Sequence, residues 1–154
     1  MKDLGEASYI LGIKLFRDRN RRIMGLSQAA YIEKVLSRFS MDNSKKGLLP
    51  FWCSLAFSKD QCLKTQEERD CMVGVPYASV VGSLMYALLC TRPDIYLAVG
   101  MVSRYESNHG LEHWTAVKHI LKYLRTTKDY MLMYSGDELI PICYTILTSC
   151  QIKI

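Results

Sequence analysis

Residues 76–134 read PYASVVGSLMYALLCTRPDIYLAVGMVSRYESNHGLEHWTAVKHILKYLRTTKDYMLMY. Three helical segments follow one another there, punctuated by Arg92-Pro93-Asp94 and by Asn108-His109-Gly110. Proline and glycine at such breaks stop one helix and let the next begin in a new direction. The first segment belongs to a run, Val73 to Thr91, that carries no charge and is long enough to raise the question of a membrane span. Gly74, Pro76, Ser79, Gly82 and Ser83 dilute its apolarity, and an amphipathic segment follows directly. A buried core helix starting at Pro76 is therefore the expectation, since proline suits a first helical turn. Gly82 and Gly100 each lower helix propensity, and close packing between helices is the expected reason for them.

The second segment opens on Thr91-Arg92-Pro93-Asp94, which places Thr91 as an N-cap with Asp94 completing a capping-box-like pair. The third, from Leu111 to about Thr126, puts Trp114, Val117, Leu121 and Leu124 on one stripe. Lys118, Lys122 and Arg125 form a second stripe, at i, i+4 and i+7. A solvated helix face and a basic rail beside a nucleic-acid backbone both carry such a pattern. Tyr130 to Tyr134 and Ile140 to Leu147 read as a short terminal pair of strands.

Upstream, Tyr9, Leu11, Ile13 and Leu15 alternate with Ile10, Gly12, Lys14 and Phe16, the period of one β-strand. Arg17 to Arg22 (RDRNRR) is a polar turn built on Asp18 and Asn20, and Ile23 to Leu26 returns as the second strand of a hairpin. Ser27 is then placed to cap a helix over Gln28 to Phe39, with Ala29, Ile32, Val35, Leu36 and Phe39 on its inner face. Asp42 to Gly47 has loop composition, and Pro50 bars further helix. The apolar patch Leu48 to Phe57, with Trp52, is expected to fold back on the protein, and Gln66 to Asp70 to form a short acidic turn. The sum is an α+β chain: an N-terminal hairpin, about four helices, short C-terminal strands.

Charge is uneven. Residues 1–50 hold ten Lys and Arg against five Asp and Glu, which is the whole net surplus of +5. A basic first third fits contact with nucleic acid, and equally an ordinary solvated surface. Six cysteines, at 53, 62, 71, 90, 143 and 150, form no Cys-x-x-Cys pair and have no histidine at zinc spacing. No secretory leader is legible in Met1 to Ile10, so reduced thiols in an intracellular, non-membrane chain are the expectation. His109 and His113 stand four apart with Gly110 between them and no third ligand, so no metal is assigned there. Nucleophile and P-loop signatures are absent from the sequence.

The order of pieces resembles the thumb-to-connection region of copia-type retrotransposon reverse transcriptases. Members of that family run Pro-Tyr, Val-Gly-Ser-Leu-Met-Tyr, Thr-Arg-Pro-Asp-Ile, Ala-Val-Gly, Ser-Arg, His-Trp and Leu-x-Tyr-Leu. All of these stand here in that order, at Pro76-Tyr77, Val81 to Tyr86, Thr91 to Ile95, Ala98 to Gly100, Ser103-Arg104, His113-Trp114 and Leu121 to Leu124. Leu11-Gly12-Ile13 is similar to the strand of the hairpin that grips the primer, and Leu26-Ser27-Gln28 with Tyr31 to the start of the thumb helix. The resemblance implies a partial domain over residues 1–141: primer-grip-like 1–27, thumb-like 28–75, connection-like helices 76–134, then a divergent tail 142–154. It implies a primer–template duplex of RNA or DNA as partner. The contacting residues would be Gly12, Arg17, Arg19, Arg21, Arg22, Lys118, Lys122 and Arg125.

It also sets a test. Nucleotidyl transfer needs clustered carboxylates holding two divalent metals, Mg²⁺ in the intact family enzyme. Two of those acids are adjacent in a Tyr-x-Asp-Asp hairpin, and this sequence contains no adjacent pair of aspartates. The hairpin would lie upstream of Met1, which is then expected to be an internal methionine of a longer frame. At the other end the family's Tyr-x-Asp-x-Asp ribonuclease H strand is replaced by Tyr144-Thr145-Ile146-Leu147-Thr148. The expectation is a fragment of a polymerase with no catalytic residue or cofactor of its own, prone to self-association through uncovered apolar surface. A non-catalytic nucleic-acid-binding module is the alternative.

Overall fold

A computed structural model describes residues 5–50, 57 and 61–136. Among them a four-stranded antiparallel sheet meets five α-helices, the α+β arrangement expected. The strands are β1 (Tyr9–Ile10), β2 (Ile13–Asp18), β3 (Ile23–Ser27) and β4 (Leu132–Ser135), side by side in that order. The helices are α1 (Ala29–Arg38), α2 (Gln66–Met72), α3 (Tyr77–Cys90), α4 (Tyr96–Ser103) and α5 (Leu111–Thr126), with a 3-10 turn at Pro93–Ile95.

The expected first strand is broken in two. Leu11 and Gly12 both sit at positive φ (51° and 79°), and Ile10 pairs with Ile13 across them. Two residues at positive φ make the tight hairpin turn whose twist suits antiparallel strands, and glycine is the residue that adopts it without strain. The alternation of apolar residues continues through the turn, which hides the break from a period-two reading. The second hairpin is as expected, in register from Lys14 opposite Ser27 to Asp18 opposite Ile23.

Among the described residues β4 has a single partner strand. It lies against β3, from Leu132 opposite Leu26 to Ser135 opposite Ile23, and completes the N-terminal sheet. The second expected terminal strand, Ile140 to Leu147, falls outside the described residues, as does Trp52. Of the apolar patch that contains Trp52, Leu48 and Leu49 are exposed, while Phe57 packs against the core.

One core joins α1, α3, α4 and α5. Ile32 and Leu36 of α1 meet Val80, Val81 and Leu84 of α3, Val99 and Val102 of α4, and Val117, Ile120 and Leu121 of α5, all buried. The outward residues of α1, Glu33, Lys34, Ser37 and Arg38, are exposed, as its 3.6-residue period requires. Ser27 ends β3, and its hydroxyl accepts from the Ala29 N–H at 3.4 Å while Gln28 takes the cap position.

Residues 66–70 are helical rather than a turn. Thr65 accepts from the Glu68 N–H at 3.3 Å, and the Glu68 carboxylate accepts from the Thr65 N–H at 3.1 Å, the reciprocal capping box of α2. The Thr-x-x-Glu signature was legible at 65–68 and outweighs the acidic composition. Gly82 and Gly100 are corrected in the other direction: a Cβ on either would meet nothing within 4 Å, so no close helix contact explains them.

Thr91 closes α3 instead of opening the next helix, because its hydroxyl is spent elsewhere. It donates to Gln28 Oε1 at 2.8 Å in the buried interior. Arg92, 2% exposed, then carries the junction. Its guanidinium grips the Asp94 carboxylate through two nitrogens, at 3.0 and 2.7 Å, and donates to the Thr127 carbonyl at 3.0 Å and to the Thr127 hydroxyl. Tyr123 donates to Asp94 at 2.8 Å, and its ring faces the guanidinium at 5.6 Å. The Thr-Arg-Pro-Asp segment thus ties the end of α3 to the start of α1 and the end of α5.

Burial pushes the Asp94 carboxyl up, but the hydrogen bonds from Arg92 and Tyr123 outweigh it and hold it below the ordinary value of 3.8. A carboxylate lowered in the folded state adds stability above its unfolded pKa and loses it as pH falls through the folded one. Acid unfolding is expected to steepen below about pH 4, and Asp94→Asn to flatten that limb in a pH series of urea melts. Arg92→Ala, which leaves the buried Thr127 carbonyl and hydroxyl without their donor, is expected to lower unfolding free energy by about 1–3 kcal/mol, measured by circular dichroism.

Candidate nucleic-acid interface

The arginine-rich turn is rigid at its root and open at its tip. Asp18 Oδ1 accepts from the Asn20 N–H at 3.0 Å and from the Arg21 N–H at 3.1 Å, so a short side chain folds the loop that displays the cations. Arg22 adopts φ 52° to rejoin β3. Arg17, Arg19 and Arg22 line one cavity of about 260 Å³ with Asp18, Ile23, Met24 and Gly136. Arg17 and Arg19 also border a cleft of about 650 Å³ that residues Gly5 to Ser8 help to line. Arg19 pairs with Glu6, and Arg21 lies 3.8 Å from Asp18, both on exposed side chains where such pairs are weak and exchangeable.

Lys118, Lys122 and Arg125 share a face of α5, but the face is half-buried rather than an open rail. The loop before residue 50 crosses it: the Gly47 N–H donates to the Lys122 carbonyl at 3.2 Å. A Cβ on Gly47 would stand 3.0 Å from Lys122 Cβ and the Tyr123 nitrogen, so a larger residue would push the loop off the helix by a few tenths of an ångström. That crossing brings Lys46 beside Arg125 and Lys128 in a cleft of about 440 Å³, where Glu33, Asp42 and Asp129 balance them. Lys128 pairs with Glu33 there. Sequence reading missed Lys46 and Lys128. The second follows Arg125 by three residues and could have been found; the first is placed by a tertiary contact that no local pattern announces.

Between the two lysines, burial and then the charges of Lys122 and Lys118 hold the His119 imidazole below its ordinary value of 6.5. Both effects favour its neutral form, so it adds little to the positive field.

The two basic groups are distinct. β4 begins opposite Leu26, a few residues after α5, and ends opposite Ile23, beside the arginine turn. The turn therefore stands at the far end of the sheet from the helix, three residues or about 10 Å along the strand. Gly12 belongs to neither group; it sits in the other hairpin turn, with open space around it.

His109 and His113 do not converge on a shared ligand. His113 is fully buried, accepts from the Gly110 N–H at 2.9 Å through Nδ1, and stacks on Tyr105 at 4.1 Å; His109 stacks on Tyr77 at 4.1 Å. Among the described residues no group of three or more His, Cys, Asp or Glu is placed to hold a metal ion. They do not fit the Mg²⁺ site implied for the intact enzyme. Cys62, Cys71 and Cys90 carry free thiols. No single described helix is long and apolar enough to cross a membrane.

Comparison with known proteins places the chain. A retrovirus-related Pol polyprotein from transposon TNT 1-94 of Nicotiana tabacum is 53% identical over 145 residues, which is 94% of this chain and 11% of that protein. A retrovirus-related Pol polyprotein from transposon RE1 of Arabidopsis thaliana is 35% identical over 140 residues, 90% of this chain and 9% of its own length. A putative transposon Ty5-1 protein of Saccharomyces cerevisiae is 32% identical over 140 residues, with 43% of its length covered. By homology the chain belongs with the Pol polyproteins of copia-type transposons. It spans about a tenth of the plant polyproteins and under half of the yeast protein. No family model and no solved structure matches it.

Gly12 offers a direct check on what its position does. Gly12→Val, forcing a β-branched residue to positive φ, is expected to cost about 1–3 kcal/mol, whereas Gly12→Asn is expected to stay near wild type in the same urea melt. Equal losses in both would remove the turn as the reason for this glycine.

Proposed function

We propose that this chain corresponds to a scaffold portion of a copia-type RNA-directed DNA polymerase (reverse transcriptase), which holds primer–template and does not itself transfer nucleotides. The carrying observation is the 53% identity to the tobacco Pol polyprotein over nearly the whole chain. Residues 1–27 take the primer-grip-like role, 28–75 the thumb-like role, and 76–134 that of the connection-like helices. Nucleotidyl transfer requires clustered carboxylates on divalent metal, and the absence of adjacent aspartates from the sequence supports an inert chain.

The retained role is contact with the phosphate backbone of an RNA or DNA duplex, carried by Arg17, Arg19, Arg21 and Arg22. Guanidinium groups suit phosphate, which they can bind through two nitrogens at once, and the first three-dimensional support is that three of these four line one cavity. Lys118, Lys122 and Arg125 supply a secondary field, since the loop at Gly47 covers part of their face.

The purified chain is expected to leave a primer on an RNA template unextended with Mg²⁺ and nucleotides present; extension would refute the proposal. Binding to the same duplex, followed by fluorescence anisotropy, is expected to weaken steeply with salt. Each arginine-to-alanine change in the turn should reduce the slope of log affinity against log salt by about one. Unchanged affinity in the quadruple alanine variant would sink the binding role while leaving the ancestry intact.

A further inference from the structure

α3 buries one face and leaves the opposite one apolar. Ala78, Gly82, Met85 and Leu89 follow at intervals of four, three and four, which aligns them in a single stripe along the helix. All four are exposed, Leu89 at 83% and Met85 at 39%. No charged residue lies anywhere in Tyr77–Cys90. A helix facing water carries polar residues on its outer face; this one carries none in the stripe.

The order of sizes along the stripe is informative. Two small residues occupy its N-terminal half and two large ones its C-terminal half. Turning a second copy of the helix through a two-fold axis between Ser83 and Leu84 sets Ala78 against Leu89 of the partner and Gly82 against Met85 of the partner. Every contact then places a large side chain against a small one, in a single register, and the same patch serves both chains as a closed dimer requires. A parallel pairing would set large against large. With a Cβ at Gly82 meeting nothing within 4 Å, the space beside it is open for an incoming methionine. Tyr86 flanks the stripe, pinned by its hydrogen bond to the Leu11 carbonyl at 3.0 Å and its edge contact with Tyr31.

We propose that a second copy of this chain docks on α3 in antiparallel orientation, giving a two-fold symmetric dimer. A stripe of four residues on one helix is short, so a pair buries no more than about 1,000 Å², the lower limit for a specific interface. The dimer is therefore reversible, and its strength depends on the fit of small against large.

The full chain is expected to sediment as a discrete monomer–dimer equilibrium. Gly82→Leu distinguishes a fitted interface from general stickiness. Within one chain the new side chain enters open space, so helicity by circular dichroism should hold, yet it would strike Met85 of the partner. Roughly tenfold or greater weakening of the dimer is expected, and the same from Leu89→Lys. Association that is unchanged or strengthened in Gly82→Leu overturns the proposal, because an unspecific patch gains from added apolar area. A wild-type chain that stays monomeric, or forms only a broad range of aggregates, overturns it as well.

Discussion

The Arg92 guanidinium is the constraint on which the arrangement of the helices turns. A charge that deep is costly unless every donor is matched, and here the matching partners come from two different places in the chain. Asp94 is local and Thr127 lies beyond the end of α5. Thr91 adds the link to Gln28 at the mouth of α1. The hydrophobic core supplies the driving force, at about 1.5–3 kcal/mol for each large aliphatic side chain buried, but apolar contacts tolerate many relative placements of four helices. The directed bonds around Arg92 accept one.

This gives the Thr-Arg-Pro-Asp segment a physical reading that its place among Pol polyproteins would not supply. Its cation is buried, its acid holds that cation from the partly exposed rim, and both are spent on architecture. The arginines of the proposed interface lie at the tip of the second hairpin, in a turn held by the backbone hydrogen bonds of Asp18. Conspicuous motif and candidate interface thus occupy different parts of the molecule.

Much of the fold was legible because its signals are periodic. α1 and α5 stand within a residue or so of their expected limits, since an apolar repeat near 3.6 persists across each, whereas α3, apolar on both faces, was bounded by Pro76 at one end and Arg92-Pro93 at the other. Failures occurred where a local pattern had two readings. Alternation ran unbroken through Leu11-Gly12, and only the positive φ of both residues reveals a turn. Acidic residues at 66–70 suggested a turn, whereas the capping pair Thr65 and Glu68 had already specified a helix. Thr91 has the chemistry of an N-cap, and a glutamine sixty-three residues away claims its hydroxyl. For the interface, the arginine turn could be read directly. The state of the α5 stripe could not, because what covers it is a loop brought in by Gly47.

The pairing of β4 with β3 sets the order in which the chain can assemble. These strands lie more than a hundred positions apart, and the described residues between them are helix and loop. Two hairpins can zip locally at once, as can each helix, but the pairing of the fourth strand with β3 must wait until the bundle has drawn these two distant segments together. Such non-local closure is slow, because the loop entropy is lost before the contacts form. A chain still being synthesised would hold β3 as a bare sheet edge, the geometry that pairs with strangers. The last described strand is thus also the one that retires the molecule's most adhesive intermediate.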